Sequence, residues 1–367
     1  MRPFFKNHVL QQQPFKPMII VVDTTKAGSA SNTFVLPIIK DVTEVVKIEW
    51  GDGTNSIGVN GNNTHVYASS GVYTVKIESK VFGGIYFNNG GDKAKITKIA
   101  NYGQGVSRLN IGNFYGCSSL LSIDIGNIVS NGADATNQYR GCTALTSIPL
   151  FDMSSVTNTY AMFYQCTSLT SIPLFDLSKC TSTRSMFALC SSLTTVPLFD
   201  LSSVTDAYAM FSSCTNLTTV PLFNLSKVTN TYTMFLNCTS LTTVPLFDLS
   251  SVTNAYAMFA NCTSLTFIPL LNLSSVTDAY AMFSSCTNLT TVPLFNLSSV
   301  TDASLMFSGV TLSTTSYSDF LINLATLPLQ SGVSFHGGYS KYNVAGGVAR
   351  AYLISNFGWT ITDGGAA

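Results

Sequence analysis

One cysteine returns every 24 residues: Cys142, Cys166, Cys190, Cys214, Cys238, Cys262 and Cys286 share a single register. Pro149 through Pro293 keep the same step, as do the pairs Met162-Phe163 through Met306-Phe307. A period of this length marks stacked units, each too small to bury its apolar side chains alone. A typical unit reads C-T-N-L-T-T-V-P-L-F-N-L-S-K-V-T-N-T-Y-T-M-F-L-N (Cys214 to Asn237), with looser copies at Cys117 and near Val106. The array thus spans roughly residues 93–310, and neighbouring units must cover both faces of every coil.

Within a unit, Leu193, Val196, Leu198 and Leu201 follow L-x-x-V-x-L-x-x-L, the spacing of a leucine-rich-repeat strand with these residues inward. The strand is expected near Leu193 to Val196, ending at Pro197, which has no N–H for a ladder. Asp206 is placed to cap one short helical turn, Ala207 to Phe211. About nine such rungs at ~4.8 Å each make a rod roughly 45 Å long.

The nine cysteines do not suggest a disulfide framework. Equivalent cysteines on stacked rungs lie about 4.8 Å apart with parallel side chains, beyond the ~3.5–4.5 Å a disulfide needs between Cβ atoms. Val310 takes the cysteine position in the last unit, as a small core residue would. A reduced, buried thiol ladder is expected, with Cys180 off register.

The run V-T-D-A-Y-A-M-F-S-S-C-T-N-L-T-T-V (Val204 to Val220) resembles the BspA-like leucine-rich-repeat surface proteins, whose units read V-T-x-M-x-x-M-F-x-x-C-x-x-L-x-x-L. The chain departs from them at Ala207 and Tyr208. That family includes cell-surface adhesins and phage-encoded proteins, so the resemblance implies recognition without naming a ligand.

Upstream, Met18–Val22, Val45–Trp50 and Val72–Ile77 alternate with Gly, Asn and Ser turns, the pattern of a β-sandwich. The elements Trp50-Gly51-Asp52-Gly53, His65-Val66-Tyr67 and Gly71-Val72-Tyr73-Thr74-Val75 look like those of a PKD (polycystic kidney disease-type) domain. Asp52 is expected to accept backbone N–H groups within its turn rather than bind calcium, and His65 to be a packed structural residue. Downstream, Ser316–Leu327 and Val344–Phe357 read as helices, the second stopped by Gly358, and Trp359–Thr362 as a last strand. Tails ending G-W-T-I-T-D-G-G (Gly358 to Gly365) are similar to those of phage-encoded proteins of this repeat type.

The expected architecture is mainly β: an arm (1–16), an immunoglobulin-like PKD-type β-sandwich (17–92), a leucine-rich-repeat-type solenoid (93–310) and an α/β cap (311–367).

Composition narrows the partners. Only 10% of residues are charged and the formal net charge is zero, against ~25% charged residues in an ordinary soluble protein. Cys142 to Val310 is slightly acidic, so phosphate contacts to nucleic acid are not expected. No apolar run approaches the ~18 residues of a membrane span, and the N-terminal stretch does not read as a signal peptide. An exterior-type surface of Ser, Thr and Asn without a secretion signal fits part of a virus particle.

No catalytic residue, metal ligand or cofactor is assigned. His8, His65 and His336 fall in three separate regions. Asp152, Asp176 and Asp200 share one register, at a spacing that suits a retaining glycosidase. The same position reads Asn224, Asp248, Asn272 and Asn296 further on, which fits a turn-stabilising hydrogen bond better than acid–base chemistry. Two aromatic rows are better candidates for function. Tyr160, Tyr208, Tyr232, Tyr256 and Tyr280, interrupted by Arg184, should point outward; Phe151, Phe175, Phe199, Phe223, Phe247 and Phe295 follow the inward leucine, with Leu271 substituting once. Either row reads as an interface or as rings stacked for stability. In the N-terminal arm, Arg2, Phe4, Phe5, Lys6 and Phe15 are candidates for attachment to other virion proteins, alongside a plain disordered tail.

The expectation is a non-enzymatic bacteriophage virion protein that recognises a host-surface glycan or protein, without nucleic acid or membrane insertion and with homo-oligomerisation open. Its rivals are a bacterial cell-surface adhesin, a decoration protein without receptor role and a polysaccharide depolymerase.

Overall fold

The computed structural model describes residues 16–40, 45–79, 83–103, 113–124 and 134–367. The protein is mainly β. Strands β1 (Met18–Asp23), β2 (Thr33–Ile39), β3 (Val46–Glu49), β4 (Asn55–Gly58), β5 (Gly61–Val66), β6 (Val72–Glu78) and β7 (Gly84–Ile85) precede the coils. They are joined by β8 (Ile96–Asn101) and β9 (Ser122–Ile123). One sheet runs β4-β3-β6-β1-β8-β9 and the other β5-β2-β7. Alternation decides their faces: Met18, Ile20 and Val22 of β1 are buried, as are Phe34, Leu36 and Ile38 of β2.

The turn motifs converge on one aromatic cluster. Trp50 stacks on His65 at 4.8 Å, His65 meets Tyr67 edge-on, and Tyr67 stacks on Tyr73. Tyr67 Oη donates to the Trp50 carbonyl at 3.0 Å. Asp52 accepts from the Thr54 N–H and hydroxyl through Oδ1, and its Oδ2 lies 2.8 Å from His65 Nε2, so both carboxylate oxygens are engaged at the turn. Gly51 is required there: its φ is +88°, and a Cβ would sit 2.5 Å from the Thr74 carbonyl oxygen.

Strand β8 joins the two parts. It pairs antiparallel with β1 and parallel with β9, so the sheet continues into the first described coil. Beside it, a fully buried Lys95 donates to the carbonyls of Ser29, Ala30 and Thr33 and to the Ser29 hydroxyl. Asp92, 3.8 Å away and also buried, accepts from the backbone N–H groups of Ser29 and Val35. This clasp ties the β1–β2 loop to the start of the coils.

The 24-residue coils stack in register, by a different ladder from the expected one. Leu193 to Val196 is not a strand. Within that segment the Thr218 N–H reaches the Thr194 carbonyl of the preceding coil, and the Thr218 hydroxyl donates to the same oxygen. The prolines offer no N–H to extend the pairing, so side-chain hydroxyls supply the ties instead. Thr205 and Thr215 donate likewise to Thr181 and Ser191. Such rows recur along the stack, which explains the surface rich in Thr and poor in charge.

Ala207 to Phe211 is not a helical turn either. The N–H groups of Ala207, Ala209, Phe211 and Ser213 donate to Asn230, Tyr232, Met234 and Leu236 of the next coil. Those of Met210, Ser212 and Cys214 close tight turns within the coil. This alternation needs φ near +51° at Ala209 and +60° at Ser213. Left-handed backbone is costly for an ordinary residue, and each such residue gains an inter-coil hydrogen bond in return. Asp206 caps no helix; its Oδ1 accepts from the Tyr208 N–H, and its backbone bridges to Ser182 and Asn230 in a parallel ladder.

The proline segment turns more sharply than a strand end. The Phe199 N–H donates to the Pro197 carbonyl at 2.9 Å, the i→i+2 bond of a γ-turn, and five other coils repeat it. The turn reverses the inward–outward alternation. Leu198 is exposed, not inward, and Phe199 is buried. The Phe151–Phe295 row is therefore interior: its rings stack on each other and on the Phe163–Phe307 column, with planes within about 11° of parallel.

All nine cysteines are free and buried. Cys214 Sγ donates to the Phe187 carbonyl at 3.1 Å, a contact repeated along the row. Burial pushes the Cys190 and Cys286 thiols up to about 12. Val310 occupies the equivalent core position.

The last coil is closed by α1 (Thr314–Leu324), β10 (Ser334–His336), α2 (Val344–Phe357) and β11 (Thr360–Thr362). Helix α1 starts two residues before the expected Ser316 because the Ser313 side chain caps it, and it ends before Leu327. Gly358, at φ +68°, ends α2 as expected. Strand β10 continues the ladder, accepting from Ala303 and Phe307 N–H groups and pairing with β11.

Candidate functional site

The tyrosine row lies on the corner where the positive-φ turn begins. Each ring is set by the residue two places before it, since Asp206, Asn230, Asn254 and Asp278 accept from the N–H groups of Tyr208, Tyr232, Tyr256 and Tyr280. Successive centroids are 4.7, 4.4 and 4.7 Å apart, with planes within 11°. The Arg184 guanidinium lies 3.9 Å from the Tyr208 centroid and 3.9 Å from Asp206 Oδ2. Arg184 thus continues the column by a cation–π contact. Tyr160 stands one rung beyond, partly exposed.

The ring faces cover one another, so the column stabilises stacking. Its outer side remains partly open to solvent. Beneath Tyr256 and Tyr280, Ala257, Ala260 and Ala281 form a small apolar bed with Leu236. Desolvation, then the neighbouring phenols, raise the pKa of Tyr256, so the hydroxyl stays protonated and can donate or accept. The arrangement suits hydrogen bonding along a ridge rather than stacking of a sugar ring on an open aromatic face.

Two surface features escaped the sequence reading. Arg140 is sandwiched between Tyr115 and Tyr164, at 5.1 and 4.6 Å from the ring centroids, in the adjacent row. The 24-residue step from Arg140 to Tyr164 was the available signal. The second is the row of leucines after the prolines, Leu150 through Leu294, each 49–61% exposed. Its signal was hidden by the γ-turn.

The aspartate row is held in turns. Asp152 and Asp176 accept from the N–H and hydroxyl of Ser154 and Ser178. Those hydroxyl and backbone hydrogen bonds hold both carboxyls below the usual range. Among the described residues, no group of three or more His, Cys, Asp or Glu is placed to hold a metal ion, and no helix is long and apolar enough to cross a membrane. The attachment candidates Arg2, Phe4, Phe5, Lys6 and Phe15 lie outside the described residues.

A family model described as "Mycoplasma protein of unknown function, DUF285" matches residues 133–244 and 216–320. Together the two matches cover just over half of the 367 residues. The chain belongs to this family. The match takes in every coil of the Arg184–Tyr280 column and stops short of the N-terminal sheets. No curated protein matches the chain.

Proposed function

We propose that this chain is a non-enzymatic surface-recognition protein of a bacteriophage virion. Its coils form a leucine-rich-repeat-type solenoid that meets a host-surface glycan or protein. Its PKD-like sheets and N-terminal arm attach it to the particle. The observation that carries the reading is the continuous column from Arg184 to Tyr280, a preformed row of phenols with one cationic end on a nearly uncharged scaffold. A rigid aromatic and arginine surface binds with little ordering cost. The aspartates tied into turns favour binding over hydrolysis.

Two experiments test it. Immunogold labelling with antibodies against the coils should mark a fixed place on purified virions; label on bacterial cells alone would move the protein to a cell surface. Binding of purified protein to intact cells should fall at least tenfold in Arg184→Ala and Tyr232→Ala. Unchanged binding in both would remove the column from recognition.

A further inference from the structure

From Asp134 to Val310 the chain carries four cations, Arg140, Lys179, Arg184 and Lys227. The two lysines are exposed beside the Asp and Asn turns, whereas each arginine stands in a row of tyrosines. Arg140 lies between Tyr115 and Tyr164. Arg184 lies over Tyr208, with Tyr160 one coil before it in the same row. Tyr160 and Tyr164 belong to one coil, which therefore has Arg140 one coil before it and Arg184 one coil after. The tyrosine centroids are 4.4–4.7 Å apart, against 5.9–6.5 Å for the rings of the Phe151 row. The coils thus fan apart away from the tyrosines, and this face is the concave one. Two such steps set the guanidinium groups about 9 Å apart along the stack, close to the length of a disaccharide.

We propose that Arg140, with Tyr115, Tyr160, Tyr164 and Arg184, binds an acidic glycan, taking the oxyanion of one sugar repeat on the Arg140 guanidinium. The inference rests on the glycan-recognition reading above and names the class of glycan. Arg140 donates to Asn137 Oδ1 at 3.3 Å and, among the described residues, forms no ion pair. The flanking segments 104–112 and 125–133 contain no Asp or Glu. Arg140 is thus a partly buried cation without a counter-charge, and a neutral ligand would desolvate it further for no return. Rings on both sides hold the guanidinium in place, which leaves its in-plane N–H groups to grip a carboxylate or phosphate by two charge-assisted bonds. The partly exposed Tyr160 and Tyr164 offer phenols to sugar hydroxyls. Arg184 shares its charge with Asp206 at 3.9 Å, so Arg140 is the stronger of the two cations. Elsewhere on the coils Asp outnumbers Lys and Arg, which repels a densely charged polymer such as nucleic acid and suits a glycan with one charge per repeat.

The test is binding of the full chain to three immobilised polymers: polygalacturonate, its methyl ester, which has the same backbone without charge, and polyglycerol phosphate. At least one acidic polymer should bind about tenfold or more tightly than the ester, and less so as salt rises. Polygalacturonate identifies the oxyanion as carboxylate, and polyglycerol phosphate identifies it as phosphate. Arg140→Gln should lower that affinity about tenfold, with Arg140→Lys between it and the wild type. Arg184→Gln, which leaves the Arg140 stack intact, should lower it by a smaller factor. Lys227→Gln removes the same charge beside the Asn224 turn and should change nothing. Equal binding of acid and ester, or no binding to any of the three, would overturn the site. So would a loss in Lys227→Gln as large as that in Arg140→Gln. The polymers are purified, so these outcomes do not depend on where the protein resides. Immunogold label on bacterial cells alone would remove the virion reading and leave an acidic-glycan site standing.

Discussion

Replacing Phe235 by alanine opens a hole at the centre of the stack. The side chain is fully buried and its ring stacks on Phe211, Phe247 and Phe259, with centroids 5.7, 6.1 and 5.6 Å away. Phe→Ala in a core costs about 3–5 kcal/mol, and each lost ring pair removes ~0.5–1.5 kcal/mol beyond burial. Three lost pairs, in an interior held by stacked rings, place the expected loss near the top of that range, about 4–5 kcal/mol. Phe235→Leu keeps most of the volume and should cost about 1–2 kcal/mol. Leu271 already fills one place in the neighbouring column without opening it. The assay is urea unfolding followed by far-UV circular dichroism for the coils and by tryptophan fluorescence for the ends, since Trp50 and Trp359 are the two tryptophans. A stack that couples mainly through neighbours should also lose coincidence between the two signals in Phe235→Ala. A cost below ~2 kcal/mol, or leucine as damaging as alanine, would refute the assignment of stability to stacked rings.

Three further outcomes follow from the same contacts. Lys95→Met leaves Asp92 buried without its cation and strips four acceptors of their donor; it should destabilise the chain by about 3–5 kcal/mol, read as a shift in the urea midpoint. Asp52 is partly desolvated, which opposes ionisation, yet hydrogen bonds from Thr54 and His65 outweigh this and hold it at about 2. Its folded pKa is depressed, so its contribution is present above the ordinary 3.8 and is lost as pH falls through about 2. Trp50 fluorescence during acid titration should show that loss, and Asp52→Asn should flatten it. The native thiols, buried and held neutral, should be silent to a chromogenic disulfide reagent at pH 8, while denatured chain should titrate all nine cysteines.

The period made the stacked coils and the buried thiols legible, because both depend on which residues recur, and the closing helices were legible from their own apolar pattern and the stop at Gly358. The conformation inside one period was far less legible. The pattern Leu193, Val196, Leu198, Leu201 matches a leucine-rich strand by count, yet the γ-turn after Pro197 exchanges the places of Leu198 and Phe199. Hydrophobicity does not distinguish two neighbouring apolar residues when a turn resets the alternation. Ala207, Met210 and Phe211 are likewise spaced as on a helix, but tight turns with φ above zero at two residues four apart in each coil, such as Ala209 and Ser213, bring the same side chains inward. Positive φ at Ala209, Thr233 and Leu305 leaves no glycine to announce it. The Tyr208–Tyr280 column was legible as a row from its spacing, whereas its ring-on-ring geometry depends on the rise between coils.

The hydroxyl ties have a consequence for length. Thr205 donates to Thr181, Thr229 to Thr205 and Thr253 to Thr229, each by the same bond. The upper surface of one coil is therefore interchangeable with that of the next. A 24-residue segment can be duplicated or deleted within the array, and the newly adjacent coils meet through contacts already in use. The reach of the molecule is then adjustable in increments of ~4.8 Å, while the closing elements at its two ends stay as they are.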